Sequence, residues 1–333
     1  MIPRFRAYQV GSLIRPESLN QAFKPQEMMY FDNPNPDTVT IINTAISSVV
    51  QKQLDQSITP LVTGEYERTS FCNNFFEHLE GMEVHNLVPF PGNFRQGLPN
   101  LQILAKLGYP GFGAVIATGK IKLKDSPQLP VWQVMKNMLP EEKWNDCKLS
   151  IISPTWQHVH LAKGQAFIPG AYSSDTDYFA DLTAAYRENL RILYDAGLRS
   201  VQIDDPILTY FALDDFQDAL RQDGIDPWRL LDLYLEVHNE AIAGLPADMY
   251  TGIHLCHGNM PKSSKARQDS DRDGSLERIV EALFTKLKHE ALYLEFDDVH
   301  SGSFEPLRFI PRGTNVVLGL VRDLARGIWP DAI

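Results

Sequence analysis

Long apolar runs, a disulfide framework and a surplus of positive charge are all missing from this 333-residue chain. No apolar stretch approaches the roughly 18 residues that span a bilayer, so no membrane partner is expected. Lys and Arg number 31 against 42 Asp and Glu, a formal net charge of −11. Phosphate recognition wants a basic face, so nucleic acid is not expected as a partner. The three cysteines, Cys72, Cys147 and Cys256, are widely spaced and odd in number. Such a set suits a reducing compartment better than a disulfide scaffold. The first residues, MIPRFRAYQVGSLIRP, are charged and mixed and hold no apolar signal segment, so a cytoplasmic protein is expected. Also lacking are a Gly-rich phosphate cradle after a strand, a G-x-S-x-G nucleophile elbow, a repeat period and any low-complexity tract. Hydrophobic residues make up 44% of the chain, enough for one large barrel or two smaller domains.

Short apolar, β-rich runs alternate with long amphipathic patterns, the signature of parallel α/β architecture. The strand-like runs are Ala7–Leu13, Thr59–Tyr66, Lys148–Ser153, Ser200–Asp204, Met249–Cys256, Ala291–Glu295 and Asn315–Leu320. Helical patterns cover Thr38–Ser57, Asp175–Ala196 before Gly197, Asp226–Ala243 behind Pro227, and a stretch from about Asp273 to Glu290 beyond a charged loop. Residues 71–140 are rich in Gly, Pro and Asn, with strand-like pieces such as Gly113–Thr118, and read as an irregular insertion or lid. The expectation is a single domain over 1–333, a TIM-type (β/α)8 barrel short of its last strand. Seven strand–helix units are legible, and Asp323–Ile333 is too short for a helix plus an eighth strand. An open edge invites pairing with another chain, so a homodimer or poor solubility is expected.

Every unusual polar cluster falls where a strand ends, the face on which β/α barrels carry their chemistry. Glu65, Glu67 and Arg68 end the second run, and Asp204 and Asp205 end another. His254, Cys256 and His257 end the next, and Glu295, Asp297 and Asp298 the one after. His254 and Cys256 are two apart and so share one face of a strand. Imidazole and thiolate suit Zn²⁺, and Glu295 could add a carboxylate from the neighbouring strand. A buried cysteine acting as a small hydrophobe is the competing reading. Glu65 and Asp204 could bind a substrate ammonium or serve as acid and base; alternatively they form ion pairs with Arg68 or Arg15 at the barrel mouth.

At these residues the chain resembles the catalytic barrel of cobalamin-independent methionine synthases, closest to their single-domain bacterial and fungal branch. The resemblance is carried, in order, by Val10-Gly11-Ser12-Leu13-Ile14-Arg15-Pro16, Gly64-Glu65-Tyr66-Glu67-Arg68, Ser153-Pro154-Thr155 and Gln202-Ile203-Asp204-Asp205-Pro206. It continues through His254-Leu255-Cys256-His257-Gly258-Asn259, Leu294-Glu295-Phe296-Asp297-Asp298, Gly302-Ser303-Phe304-Glu305-Pro306-Leu307-Arg308 and Val317-Leu318-Gly319-Leu320-Val321. It implies a methyltransferase in which zinc holds the thiol of homocysteine as a thiolate and a methyl donor, folate or another, delivers the methyl group. By the same resemblance the metal ligands are His254, Cys256 and Glu295. Ser12, Glu65 and Asp204 hold the amino-acid part of the substrate, with Glu65 and Asp204 as the catalytic carboxylates.

Two features depart from that family. A second cysteine ligand, carried on a last strand with a Gln-Cys-Gly or Asp-Cys-Gly motif, has no counterpart after Leu320-Val321. Cys72, just past the Glu65 strand end, is a candidate substitute. The long N-terminal domain of the two-domain enzymes is also absent, which leaves the methyl source open. Three other readings stand beside methyl transfer to homocysteine: another zinc–thiolate alkyl transfer in a specialised pathway, an inactive relative that binds a ligand or partner, and a metal-free lyase of the uroporphyrinogen decarboxylase type. The His-x-Cys pair and the acidic mouth argue against the lyase.

Overall fold

Asn35 caps the first long helix, its side chain accepting from the Thr38 amide at 2.8 Å, with Pro36 at the first helical position. A computed structural model of the chain describes residues 7–23, 35–90, 92–106, 108–256, 277–296 and 303–320. Helix α1 (Glu17–Phe23) packs on α2 (Pro36–Asp55), which turns Ile42, Ala45, Ile46 and Val50 inward. The expected irregular insertion is in fact built largely as a hairpin. Strands β1 (Leu79–Pro89) and β2 (Gly111–Leu123) pair antiparallel with Val84 opposite Val115, and α3 (Pro99–Lys106) lies between them. Two register shifts, at Glu80/Met82 and His85/Val88, break the alternation that would have announced these strands. Helix α4 (Leu129–Met138) follows and packs on α2.

The rest is the parallel sheet that the alternating pattern predicts. Strands β3 (Leu149–Ile152), β4 (Ser200–Asp204), β5 (Tyr250–Leu255), β6 (Ala291–Glu295) and β7 (Asn315–Gly319) pair in that order. Helices α5 (Trp156–His160), α6 (Asp175–Asp195), α7 (Asp214–Gln222) and α8 (Pro227–Ala241) fill the crossovers between β3 and β5, and the helix Glu277–Lys286 precedes β6. Ser174 and Asp226 cap α6 and α8 through their side chains, as their position before each amphipathic run predicts. Both helices bury aromatic faces, with Tyr178, Tyr186 and Tyr234 fully enclosed.

Two extended segments continue the sheet on the β3 side. Leu61 exchanges hydrogen bonds with the β3 approach, from its amide to Asp146 O at 2.7 Å and from the Lys148 amide to its carbonyl at 2.9 Å. The amide of Leu13 in turn donates to Gly64 O at 3.1 Å. Seven neighbouring chain segments therefore line up in sequence order, matching the seven expected strand positions. A closed eight-stranded barrel is not seen among the described residues. Their sheet ends at β7, where Val316 is 38% and the adjoining Leu320 58% exposed; residues 321–333 lie outside the description. No described helix is long and apolar enough to cross a membrane.

Candidate active site

Side chains alternate along a strand, so the ladder registers fix which residues share the inner face. A Cβ on Gly252 would meet the Tyr293 ring at 2.5 Å, so Gly252 and Tyr293 point the same way. His254 and Cys256 follow Gly252 at intervals of two, and Glu295 follows Tyr293. The parallel registers set Asp204 opposite His254, and His254 opposite Tyr293. On β4, Gln202 and Asp204 face together, the Gln202 amide donating to Asp204 Oδ1. All six expected site residues thus lie at the carboxyl end of the sheet or on the loops beside it.

The carboxylate of Glu65 is the centre of the polar cluster. Gly64 and Glu65 both take left-handed conformations, with φ of 72° and 59°. Glycine adopts this freely, and for glutamate it is a strained choice. The turn drives the Glu65 side chain under the first segment. Ser12 Oγ donates to Oε2, Ser150 Oγ donates to Oε1 at 2.8 Å, and Arg68 Nη2 lies 2.7 Å from Oε1. A Cβ on Gly11 would fall 2.5 Å from that oxygen, so only glycine lets the backbone come this close. Arg68 reaches Asp204 Oδ2 as well, at 3.8 Å. Arg15, by contrast, bonds main-chain oxygens of the same turn, Arg68 O at 2.8 Å and Thr69 O at 3.1 Å. The barrel-mouth ion pairs considered from sequence therefore exist for Arg68, and Arg15 braces the turn that carries it.

Burial and charge set the protonation states. Desolvation disfavours the Glu65 carboxylate, but the Arg68 charge and the hydrogen bonds from Ser12, Ser150 and Arg68 outweigh it and hold its pKa below the ordinary range. Asp204 goes the other way: burial, then the neighbouring Glu65 charge, push it up to about 7. Burial also raises Glu67, whose Oε2 is buried without a partner. Lys148, only 1% exposed, is drawn down to about 7 by desolvation. Its ammonium donates to Gln9 O at 2.6 Å, Val10 O at 2.8 Å and the Gln202 side chain.

Beside this cluster lie the expected metal ligands. Burial lowers His254 to about 4, so the ring is neutral at physiological pH, and its Nδ1 is buried without a hydrogen-bond partner. Cys256 is half-buried and its carbonyl accepts from Thr209 Oγ1 at 2.6 Å. Tyr210 stands near both Cys256 and Glu295: burial first, then those two groups, raise its hydroxyl pKa. Among the described residues, however, no group of three or more His, Cys, Asp or Glu side chains is gathered closely enough to hold a metal ion. His254, Cys256 and Glu295 stand at neighbouring strand ends but are not gathered closely enough to share an ion. Chemically the set fits zinc, offering a neutral imidazole with an orphaned nitrogen, a thiol and a carboxylate. His257, Asp297 and Asp298 fall outside the described residues.

Two other sequence candidates are structural. Asp205 is fully buried and accepts from Thr155 Oγ1 at 2.7 Å and from the Ile207 and Leu208 amides at 3.0 Å each, with His238 Nε2 at 2.8 Å. It ties the chain leaving β4 to α5 and α8. Cys72 contacts Ser70 Oγ at 3.3 Å and Asn73 Oδ1, and burial pushes its thiol up to about 11. A thiol held protonated this firmly is a poor substitute ligand. Sequence reasoning missed Lys148, Ser150 and Gln202. A period-two reading back from Asp204 reaches Gln202, and the same step along β3 links Ser150 with Lys148.

Comparison with known proteins places the chain in a family. The chain is 30% identical over 319 residues to YxjH of Bacillus subtilis, covering 95% of this chain and 77% of that one. It is 29% identical over 323 residues to YxjG of the same organism, covering 96% and 78%. Both relatives are of uncharacterized function. Among solved structures, a Listeria monocytogenes protein provisionally named a vitamin-B12 independent methionine synthase superposes with a TM-score of 0.64 at 26% identity, over 95% of this chain and 79% of that one. A B12-independent methionine synthase from Shewanella sp. W3-18-1, in complex with selenomethionine, gives 0.62 at 19% identity over 92% and 77%, a likeness of fold alone. No family model matches. The chain belongs to the same family as YxjH.

Proposed function

We propose that this member of the YxjH family is a zinc-dependent methyltransferase that moves a methyl group onto a thiol, with homocysteine as acceptor and methionine as product. The observation that carries the reading is a juxtaposition on one rim. Asp204, part of the Ser12–Glu65–Arg68 cluster, is paired in register with His254, which shares its face with Cys256. One half of the rim suits an α-amino acid and the other suits a metal-bound sulfur. The provisional name of the Listeria protein, a vitamin-B12 independent methionine synthase, points the same way.

In this reading His254, Cys256 and Glu295 would hold the zinc. Bound zinc supplies the Lewis acidity that lets a thiol, whose free pKa is near 8.5, persist as a thiolate at neutral pH. Glu65, kept ionised by Arg68, and Asp204 face the substrate ammonium, and Ser12 fixes the carboxylate that receives it. This fixes the sulfur end by fixing the amino-acid end, so that attack on a methyl carbon becomes an oriented encounter. The new S–CH3 bond forms as the donor's bond to that methyl breaks and its electron pair stays on the donor atom. The proton given up by the thiol is balanced by one taken up at the folate nitrogen, or goes to solvent where the donor is a sulfonium. Neutral His254 offers a lone pair without first losing a proton. The methyl donor is a folate or another methyl carrier, and the compartment is the cytoplasm.

A second reading is favoured by the lack of a gathered donor group among the described residues: a relative that binds an amino-acid thiol without alkylating it. One experiment separates the two. Zinc-loaded protein is incubated with L-homocysteine and, in turn, methyltetrahydrofolate, its polyglutamate and a sulfonium methyl donor, and methionine is measured by mass spectrometry. Methionine that disappears on chelation is the expected result. Homocysteine binding without methionine from any donor selects the binding protein, and neither binding nor turnover overturns both.

A further inference from the structure

We propose that Lys148 is a positioning residue for the amino-acid half of the site, locking Asp204 through the Gln202 amide and Ser12 through the backbone of Gln9 and Val10. The inference rests on the reading of Ser12, Glu65 and Asp204 as substrate contacts. It adds a residue that touches none of the reacting groups.

The argument is one of donors and acceptors. An ammonium has three N–H donors and no acceptor, and a side-chain amide has one end of each kind. Lys148 spends its donors on Gln9 O, Val10 O and Gln202 Oε1, and sits over the Tyr293 ring at 4.3 Å from its centroid. Because the ammonium demands the oxygen end of Gln202, the nitrogen end has to face Asp204 Oδ1. Asp204 is thereby held with Oδ2 toward Arg68. On the other arm, two consecutive carbonyls are pinned directly before Gly11 and Ser12. That is the stretch whose backbone lies against Glu65 and whose hydroxyl donates to it. One cation thus sets both the hydroxyl–carboxylate pair and the second carboxylate. Burying an ammonium is costly, and an apolar side chain of the same length would fill the space without that cost. With methionine there, the Gln202 amide is free to flip and present its oxygen to Asp204.

The two arms can be cut separately in the zinc-loaded enzyme, with L-homocysteine as the probe. Lys148→Met cuts both, whereas Gln202→Leu cuts only the arm to Asp204. The expected result is a KM for L-homocysteine raised about tenfold in each, with kcat falling less than KM rises. The double variant should be no worse than the poorer single one, because the two residues act in series. Lys148→Arg, which keeps the charge and the donors, should recover most of the loss. A purely structural plug would instead lower the melting temperature and the active fraction and leave KM alone. KM within twofold of wild type in both single variants overturns the proposal. Should Lys148→Met fail to fold, Gln202→Leu decides by the same KM criterion. Hydrogen exchange of residues 9–13 gives a readout independent of turnover: faster in Lys148→Met, unchanged in Gln202→Leu. If the wild type forms no methionine, the proposed function falls and exchange judges the clamp, unchanged rates in Lys148→Met overturning it.

Discussion

Replacing Arg68 with methionine should strand two buried carboxylates, and the size and pH dependence of the damage follow from their surroundings. Arg68 is 2% exposed, and Glu65 and Asp204 are each 4% exposed, so solvent screens the group little. The guanidinium lies 2.7 Å from Glu65 and 3.8 Å from Asp204. At an effective dielectric of about 20, one unit-charge pair some 4 Å apart is worth about 4 kcal/mol. Removing one partner of a buried pair costs about 3–5 kcal/mol. At about 2 °C per kcal/mol for a domain this large, the melting temperature should fall by roughly 6–10 °C at pH 7.5. The sign with pH is fixed by Glu65. In the native protein its pKa is held below the ordinary value, so its contribution is complete above the unfolded-state pKa and is lost only as pH falls through the folded one. In Arg68→Met only the Ser12 and Ser150 hydrogen bonds still oppose burial, so that pKa rises and the variant loses stability as pH rises. The gap between variant and wild type should therefore be wide at pH 7.5 and much narrower at pH 5, read by calorimetry or dye-monitored melting. Adding Glu65→Gln should restore most of the loss by removing the stranded charge. A deficit below about 1 kcal/mol, or one equal at both pH values, would refute the reasoning.

Three further outcomes can be checked on the same preparations. Gly11→Ala puts a methyl against Glu65 Oε1 and should raise KM for homocysteine at least tenfold; an unchanged KM would mean that Glu65 does not bind the substrate. Asp204→Asn should gain on wild type at pH 8 and not at pH 4. The native pKa of about 7 lies above the unfolded value, so stability from this group falls as pH rises through that window, and equal stabilities at both pH values would contradict it. Asp205→Asn loses the charge behind four hydrogen-bonding contacts and should cost about 1.5–3 kcal/mol in urea unfolding; a loss under 0.5 kcal/mol would show that the network holds nothing together.

The sheet was readable because its strands are short and apolar and, the edge strand β7 apart, enclosed on both faces, as Ala291–Glu295 shows. Strands β4, β5 and β6 end at polar residues named from the sequence: Asp204, His254 with Cys256, and Glu295. Of the hairpin, only the Gly113–Thr118 piece of β2 was readable. Strand β1 is only partly buried, and bulges at Glu80/Met82 and His85/Val88 break the period-two signal. Glu65 was visible as a strand-end acid, but nothing in its own letters shows that it occupies a left-handed turn beneath Gly11. Lys148 went unnoticed for a general reason. A single lysine opening a strand reads as a solvated charge, and only the fold reveals that it points inward to main-chain oxygens. The proposed zinc ligands His254, Cys256 and Glu295 were legible as residue types on shared faces, while the distances between them depend on side-chain placement that no spacing rule supplies.

Zinc content bears most directly on the central claim. The purified, metal-replete protein should carry about one zinc per chain by elemental analysis. His254→Ala and Cys256→Ser should each lose most of it, and Cys72→Ala should keep it. A wild-type protein that retains no zinc after equilibration with the metal, or a Cys256→Ser variant with a full complement, would contradict the account.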